Sequence, residues 1–188
     1  MLLRRANPVA VGLAVGLVGL IARLPCAIDS WGASARNYTY LCYSDVGPLY
    51  FVRGLSEGVV PYLESYKSEY LEYPVLTGAW AWLTALWVLL VNGVAHVGWF
   101  VALTWVVSLI FIGVAVWAIS RTIDHSHRAI WFALSPAVLL TLGINWDALA
   151  VMCVALAMMY WSHERQLPAA VALGLGADDS AAPDDAIE

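Results

Sequence analysis

Most of the side chains in this chain that could act on a substrate fall in one stretch, residues 41–78, LCYSDVGPLYFVRGLSEGVVPYLESYKSEYLEYPVLTG. A carboxylate held on a long loop beside a membrane can serve as general base on a substrate hydroxyl. Asp45 is the candidate for that role, with Tyr40, Tyr43 and Tyr50 close in sequence. Pro48 suits the first turn of a helix and Gly58 its end, so a short helix over 48–57 is predicted, with Asp45 just ahead of it. A negative charge there is favoured by the positive end of the helix dipole. Arg53 follows two helical turns on, and its planar guanidinium suits the phosphate of a lipid-linked donor. A simpler alternative stays open, in which Asp45 caps its helix and Arg53 pairs with a neighbouring acid. Glu72, with Tyr73 beside it, stands where the next apolar run begins, either as a second carboxylate or as an interfacial charge.

Outside this stretch, Asn145-Trp146-Asp147 interrupts the apolar run 129–161. As one helix that run would be roughly 50 Å long, too long for a bilayer. Two short helices meeting at the Asn-Trp-Asp turn are therefore expected, with Pro136 kinking the first. Asp147 at membrane depth would be functional by default, and at an interface it would carry no such cost. The His125-x-His127 pair has nothing nearby to complete a metal site, so no metal is expected and a solvated loop is the reading. His96 reads as an interfacial residue in a turn. Tyr62, Tyr66 and Tyr70 recur every four residues, which predicts a helix lying on the membrane surface or, less simply, a stack for a sugar ring.

These residues need a scaffold, and the composition says which kind. Of 188 residues 62% are hydrophobic and 12% charged, with a mean hydropathy of +0.75, about half the charge of a soluble domain. Ten Trp and nine Tyr suit two membrane–water interfaces. The fold class predicted is all-α, a polytopic transmembrane protein of about five spans. Residues 1–176 form the membrane domain, and an acidic tail, 177–188, has nothing to bury and is expected to be disordered. The net charge of −5 argues against nucleic acid as a partner.

Arg4 and Arg5 ahead of the apolar run 8–24 place the N-terminus in the cytoplasm, so the charged loop 25–74, carrying short surface helices, is extracytoplasmic. Residues 75–120 suffice for two spans, broken near Asn92-Gly93. Of three cysteines, Cys26 and Cys42 lie in the loop region and could pair on an oxidising side, while Cys153 reads as a small core residue. The two topology rules disagree. Strict alternation puts Asp147 opposite Asp45, and the positive-inside preference puts both on one side, provided 75–97 enters and leaves on one face.

Cys42-Tyr-Ser-Asp45, Leu49-Tyr50, Arg53-Gly54-Leu55, Pro61-Tyr62 and Glu72-Tyr-Pro-Val-Leu-Thr-Gly78 together resemble the first extracytoplasmic loop of actinobacterial GT-C membrane glycosyltransferases. The likeness is greatest to the family-87 mannosyltransferases that use polyprenol-phosphate mannose. Asn145-Trp146-Asp147 is similar to a later stretch of the same group, and the resemblance covers roughly 8–176. It implies a plasma-membrane enzyme that moves a sugar, mannose first, from a polyprenyl-phosphate donor to an acceptor hydroxyl. Asp45 would be the base, Arg53, Glu72, Tyr73, Asn145 and Asp147 would contact substrate, and no cofactor would be needed. Relatives continue past the Leu-Gly-Leu-Gly176 helix with a Lys-Tyr-Pro segment and further spans, where this sequence has its acidic tail. The chain then corresponds to the N-terminal part only, with membrane lipids around it and a second chain supplying the remaining helices. The competing readings are a non-catalytic membrane subunit or remnant, and a small transporter using Asp147, which no inverted repeat supports.

Overall fold

The computed structural model of the protein describes residues 6–29, 35–67, 70–94, 96–122 and 126–177. Arg4, Arg5, His125 and the acidic tail from residue 178 lie outside them. Helix α1, Pro8–Ile21, starts where Asn7 accepts a hydrogen bond from the Val9 amide at 3.0 Å and Pro8 takes the first turn. It stops sooner than the apolar run, and Leu24–Asp29 continues as a 3-10 turn. Gly12, Gly16 and Gly19 form its buried seam. A Cβ on Gly12 would meet Val116 at 2.9 Å, one on Gly16 would meet Leu109 at 2.9 Å, and one on Gly19 would collide with the carbonyl of Leu139. Small residues thus let neighbouring backbones approach where larger ones would hold them apart.

The loop that follows carries α2, Ala35–Thr39, and α3, Val46–Val52. The disulfide Cys26–Cys42, with Cα atoms 6.0 Å apart, ties its first half into a ring. The expected helix over 48–57 is two pieces, α3 and a 3-10 turn, Leu55–Glu57. Gly54 separates them at φ +69, a left-handed conformation that a Cβ makes costly. The tyrosine stripe is not helical. Residues 61–64 turn on themselves with Tyr62 at φ +67, and its hydroxyl donates to the carbonyls of Tyr73 (2.6 Å) and Pro74 (3.1 Å). Tyr62 sits so close to Gly78 that any side chain there would displace it. Tyr66 instead donates to Glu57 at 2.5 Å.

Helix α4, Val75–Asn92, and α5, Val97–Thr122, are joined through a left-handed Gly93. Both are long and apolar enough to cross a membrane, by length and composition. His96 lies in the connection, where its Nδ1 accepts from the Trp99 amide at 3.3 Å and so starts α5. The break foreseen near Asn92 is therefore present. Trp80 packs on Phe111 at 6.0 Å, while Trp87 and Val91 share a cavity with Trp99, Leu103 and Val106, so α4 runs antiparallel to the first half of α5.

α5 is antiparallel to α1, because Gly12 faces Val116 and Gly16 faces Leu109. The chain returns through α6, Ile130–Ala133, and α7, Pro136–Thr141. Pro136 does more than kink a helix here. It ends one and begins another, and Ser135 caps the second by accepting from the Val138 amide at 3.4 Å. Ala133 lies against Gly12 and Gly143 against Arg23, so this broken passage follows α1 in direction. Turn residues 142–147 lead into α8, Ala148–Ser162, parallel to α5: Ile112 lies near Asp147 and Val151, and Trp117 near Met159 and Tyr160. Finally α9, Gln166–Gly176, folds back along α8 until Gly176 meets Cys153. Cys153 is buried, as a core residue should be. Among the described residues the architecture is all-helical with no strand.

Candidate functional site

The loop and the Asn-Trp-Asp turn meet at one end of the molecule. The Asp45 amide donates to the Ile144 carbonyl at 2.6 Å, and the Ser44 hydroxyl donates to the same oxygen at 3.3 Å. Arg23 closes the corner behind them: one guanidinium nitrogen donates to the Tyr43 carbonyl, another to the Leu140 carbonyl. The residue is buried, which lowers its pKa from the ordinary arginine value. Asp45 and Asp147 therefore share an end of the helix set.

Asp45 stands at the N-cap position of α3, yet its side chain makes no cap hydrogen bond. It accepts instead from the hydroxyl of Tyr43, and that bond is the main cause of the raised Tyr43 pKa, ahead of burial and the Asp45 charge. The carboxylate is thus turned away from the structural task that the simple reading assigned to it. Arg53 follows the simple reading: its guanidinium lies 3.7 Å from Glu72, with Arg53 largely covered and Glu72 at 84% exposure. A pair so open on one side is worth little to stability and yields readily to a competing anion.

Tyr73 occupies the middle. Its ring meets Trp146 edge-on at 5.0 Å, and Trp146 in turn meets Phe100 at 6.4 Å. Burial first, then the negative charges of Asp45 and Asp147 with smaller shares from Tyr43 and Glu72, pushes the Tyr73 phenol up to about 12. It stays a hydrogen-bond donor at any physiological pH. In the second turn, the Asn145 side-chain amide donates to the Asp147 carboxylate at 2.7 Å, and Asn145 accepts from the Asp147 amide at 3.1 Å. This closed Asx-type arrangement fixes both side chains. Asp147 is exposed, and beneath it lies a cavity of about 90 Å³, room for about three waters and too small for a hexose.

The structure thus brings Asp45, Glu72, Tyr73 and Asp147 around one point, with Arg53 tied in through Glu72 and Asn145 through Asp147. No group of three metal-ligating side chains occurs among the described residues. Sequence reasoning did not single out Arg23, Tyr43 or Trp146 as site residues. An arginine directly after an apolar run was the one signal for Arg23, because a cation there needs acceptors. Trp146 is 2% exposed and braces Tyr73 from inside the very turn that the sequence did mark.

The opposite end carries a second group of cations. Arg121 closes α5, Arg128 lies in the 3-10 turn Ser126–Ala129, and His163 and Arg165 follow α8. No protein-family model, curated protein or solved structure matches this chain.

Proposed function

We propose that this chain is part of an integral plasma-membrane glycosyltransferase that moves a sugar, mannose in the first instance, from a polyprenyl-phosphate donor to an acceptor hydroxyl. Loop 25–74 and residues 142–147 face outward in this reading, and the arginine-rich end faces the cytoplasm. The observation that carries it is the Asp45 carboxylate, placed beside a helix start without capping it and backed by a second carboxylate, Asp147. A base so held can take the acceptor proton as the acceptor oxygen bonds to the anomeric carbon. The bond from that carbon to the phosphate oxygen breaks, and polyprenyl phosphate leaves with the electron pair. Arg53 exchanges Glu72 for the departing phosphate. Tyr73 and the Asn145–Asp147 pair position sugar hydroxyls by donating and accepting hydrogen bonds. No cofactor enters this scheme.

In this reading α1, α5, α6 with α7, and α8 pass the membrane in turn, α9 at 11 residues is too short to follow them, and α4 enters and leaves on the outer face. α6, α7 and α9 are short, and an apolar groove of about 510 Å³ between α8 and α9 stays uncovered. Helices of a second chain packed there would cover it.

The test is transfer from polyprenyl-phosphate mannose by membranes carrying the chain with its loop outward, alone and with candidate partner helices. Transfer abolished in Asp45→Asn and Asp147→Asn supports the reading. Transfer unchanged in Asp45→Asn rejects it, and turnover absent with every partner favours the non-catalytic subunit.

A further inference from the structure

The basic end of the helix set holds a second feature that the proposed transfer does not use. A cavity of about 300 Å³ opens there, lined by Trp117, Arg121, Met159, Tyr160, His163 and Arg165. Neither Arg121 nor Arg165 has a carboxylate within ion-pair distance among the described residues, although exposed Glu164 lies in the same turn. Arg121 lies over the Trp117 ring at 5.7 Å, which holds its guanidinium at the cavity wall. The His163 Nδ1 is taken up by the Met159 carbonyl at 2.7 Å, so this ring already serves the end of α8. Arg165 occupies the N-cap position of α9, and that helix receives no side-chain cap, which leaves the amides of Gln166 and Leu167 open to an anion, Pro168 having none.

Cations at helix C-termini are common, and the dipole alone accounts for one per helix. It does not account for two arginines converging on one cavity beside an uncapped helix start. Nor does it explain the Trp and Tyr in the wall, side chains that sit at the depth of lipid headgroups.

We propose that this cavity binds the phosphodiester headgroup of an anionic phospholipid, held by Arg121, Arg165 and the first turn of α9. The acyl chains lie along the apolar surface of α5 and α8. The inference rests on the membrane reading above and not on the chemistry assigned to Asp45, so either can fail without the other.

The experiment is native mass spectrometry of the full chain released from detergent micelles doped with phosphatidylglycerol or phosphatidylcholine. The chain should retain phosphatidylglycerol at least about tenfold more than phosphatidylcholine. The double variant Arg121→Gln/Arg165→Gln should fall to the phosphatidylcholine level, while Arg128→Gln keeps the wild-type ratio. Circular dichroism establishes that each variant is folded, and Arg121→Lys/Arg165→Lys should keep most of the preference. Equal retention of the two lipids, or a preference that survives the double variant at full size, overturns the proposal. Displacement of the lipid by millimolar inorganic phosphate also overturns it, because the site would then be one for a free anion. The Asp45→Asn variant should bind lipid as the wild type does, which separates this result from the fate of the transfer reaction.

Discussion

The backbone amide of Asp45 donates to the carbonyl of Ile144 across 2.6 Å. With the Ser44 hydroxyl on the same oxygen and Arg23 between the Tyr43 and Leu140 carbonyls, this hydrogen bond sets loop 25–74 on the turn that carries Asp147. Everything at the acidic end depends on that seam.

If Asp45 is the base, Asp45→Asn removes the proton acceptor and keeps the shape. Transfer should fall by about 10²–10⁴-fold while the melting temperature in detergent moves little, because the side chain caps nothing. Initial rates with polyprenyl-phosphate mannose check this, with a thermal melt alongside.

A cysteine introduced by Asp147→Cys should react with an impermeant maleimide added outside the cell, and one introduced by Arg165→Cys should not. Both are exposed, and they lie at opposite ends of α8. The native Cys153 is buried and should remain silent. Labelling of both from one side would break the proposed orientation.

The Cys26–Cys42 bond closes a ring of sequence separation 16, worth about 3 kcal/mol by loop-closure entropy. Denatured but unreduced protein should show one reactive thiol and reduced protein three. Reduction should lower the unfolding midpoint and loosen the loop ahead of Asp45, measured by proteolysis between residues 26 and 42.

Two glycines give opposite signs. In Gly19→Ala the new methyl meets the Leu139 carbonyl, which is backbone and cannot swing aside, so a loss of about 1–3 kcal/mol is expected. Gly174, inside α9, has nothing within 4 Å of its missing Cβ, so Gly174→Ala should gain about 1 kcal/mol from helix propensity. Melting temperatures of the two variants decide the matter.

Tyr73 titrates at about 12 in the folded chain against 10.0 for a free phenol. The neutral form is the favoured one, so its contribution to stability is fully present below pH 10 and is lost as the pH rises from 10 to 12. Tyr73→Phe should show a shallower alkaline fall in the unfolding midpoint than the wild type over that window. Identical slopes would mean that neither burial nor the neighbouring carboxylates hold this phenol neutral.

Much of this was legible in the sequence, and the gaps have physical causes. The Asn-Trp-Asp turn, the break near Asn92 and the start of α4 after Pro74 were visible because helix length and proline act locally. The tyrosine stripe misled, since a four-residue period is indifferent to whether backbone makes a helix there. Gly54 and Gly58, both left-handed, and the pull of Tyr62 toward Gly78 impose turns that periodicity does not register. The side of Asp147 stayed open because hydropathy counts α4 as a candidate span, and a sequence alone does not show that α4 packs against the first half of α5. Arg23 escaped notice for a similar reason, as both carbonyls that hold it are remote in sequence.

Synthesis order gives the loop's ring a further importance. Ser44 reaches the Ile144 carbonyl across a sequence separation of 100, so the docking surface does not yet exist when the loop first emerges from the ribosome. Until α7 arrives, the first half of the segment is held by its own cross-link between Cys26 and Cys42, while Tyr62 and Arg53 tie the second half to residues 72–74. A cell that cannot oxidise those thiols in time would deliver the later helices to an unprepared partner, and the damage would show as low yield before it showed as low activity.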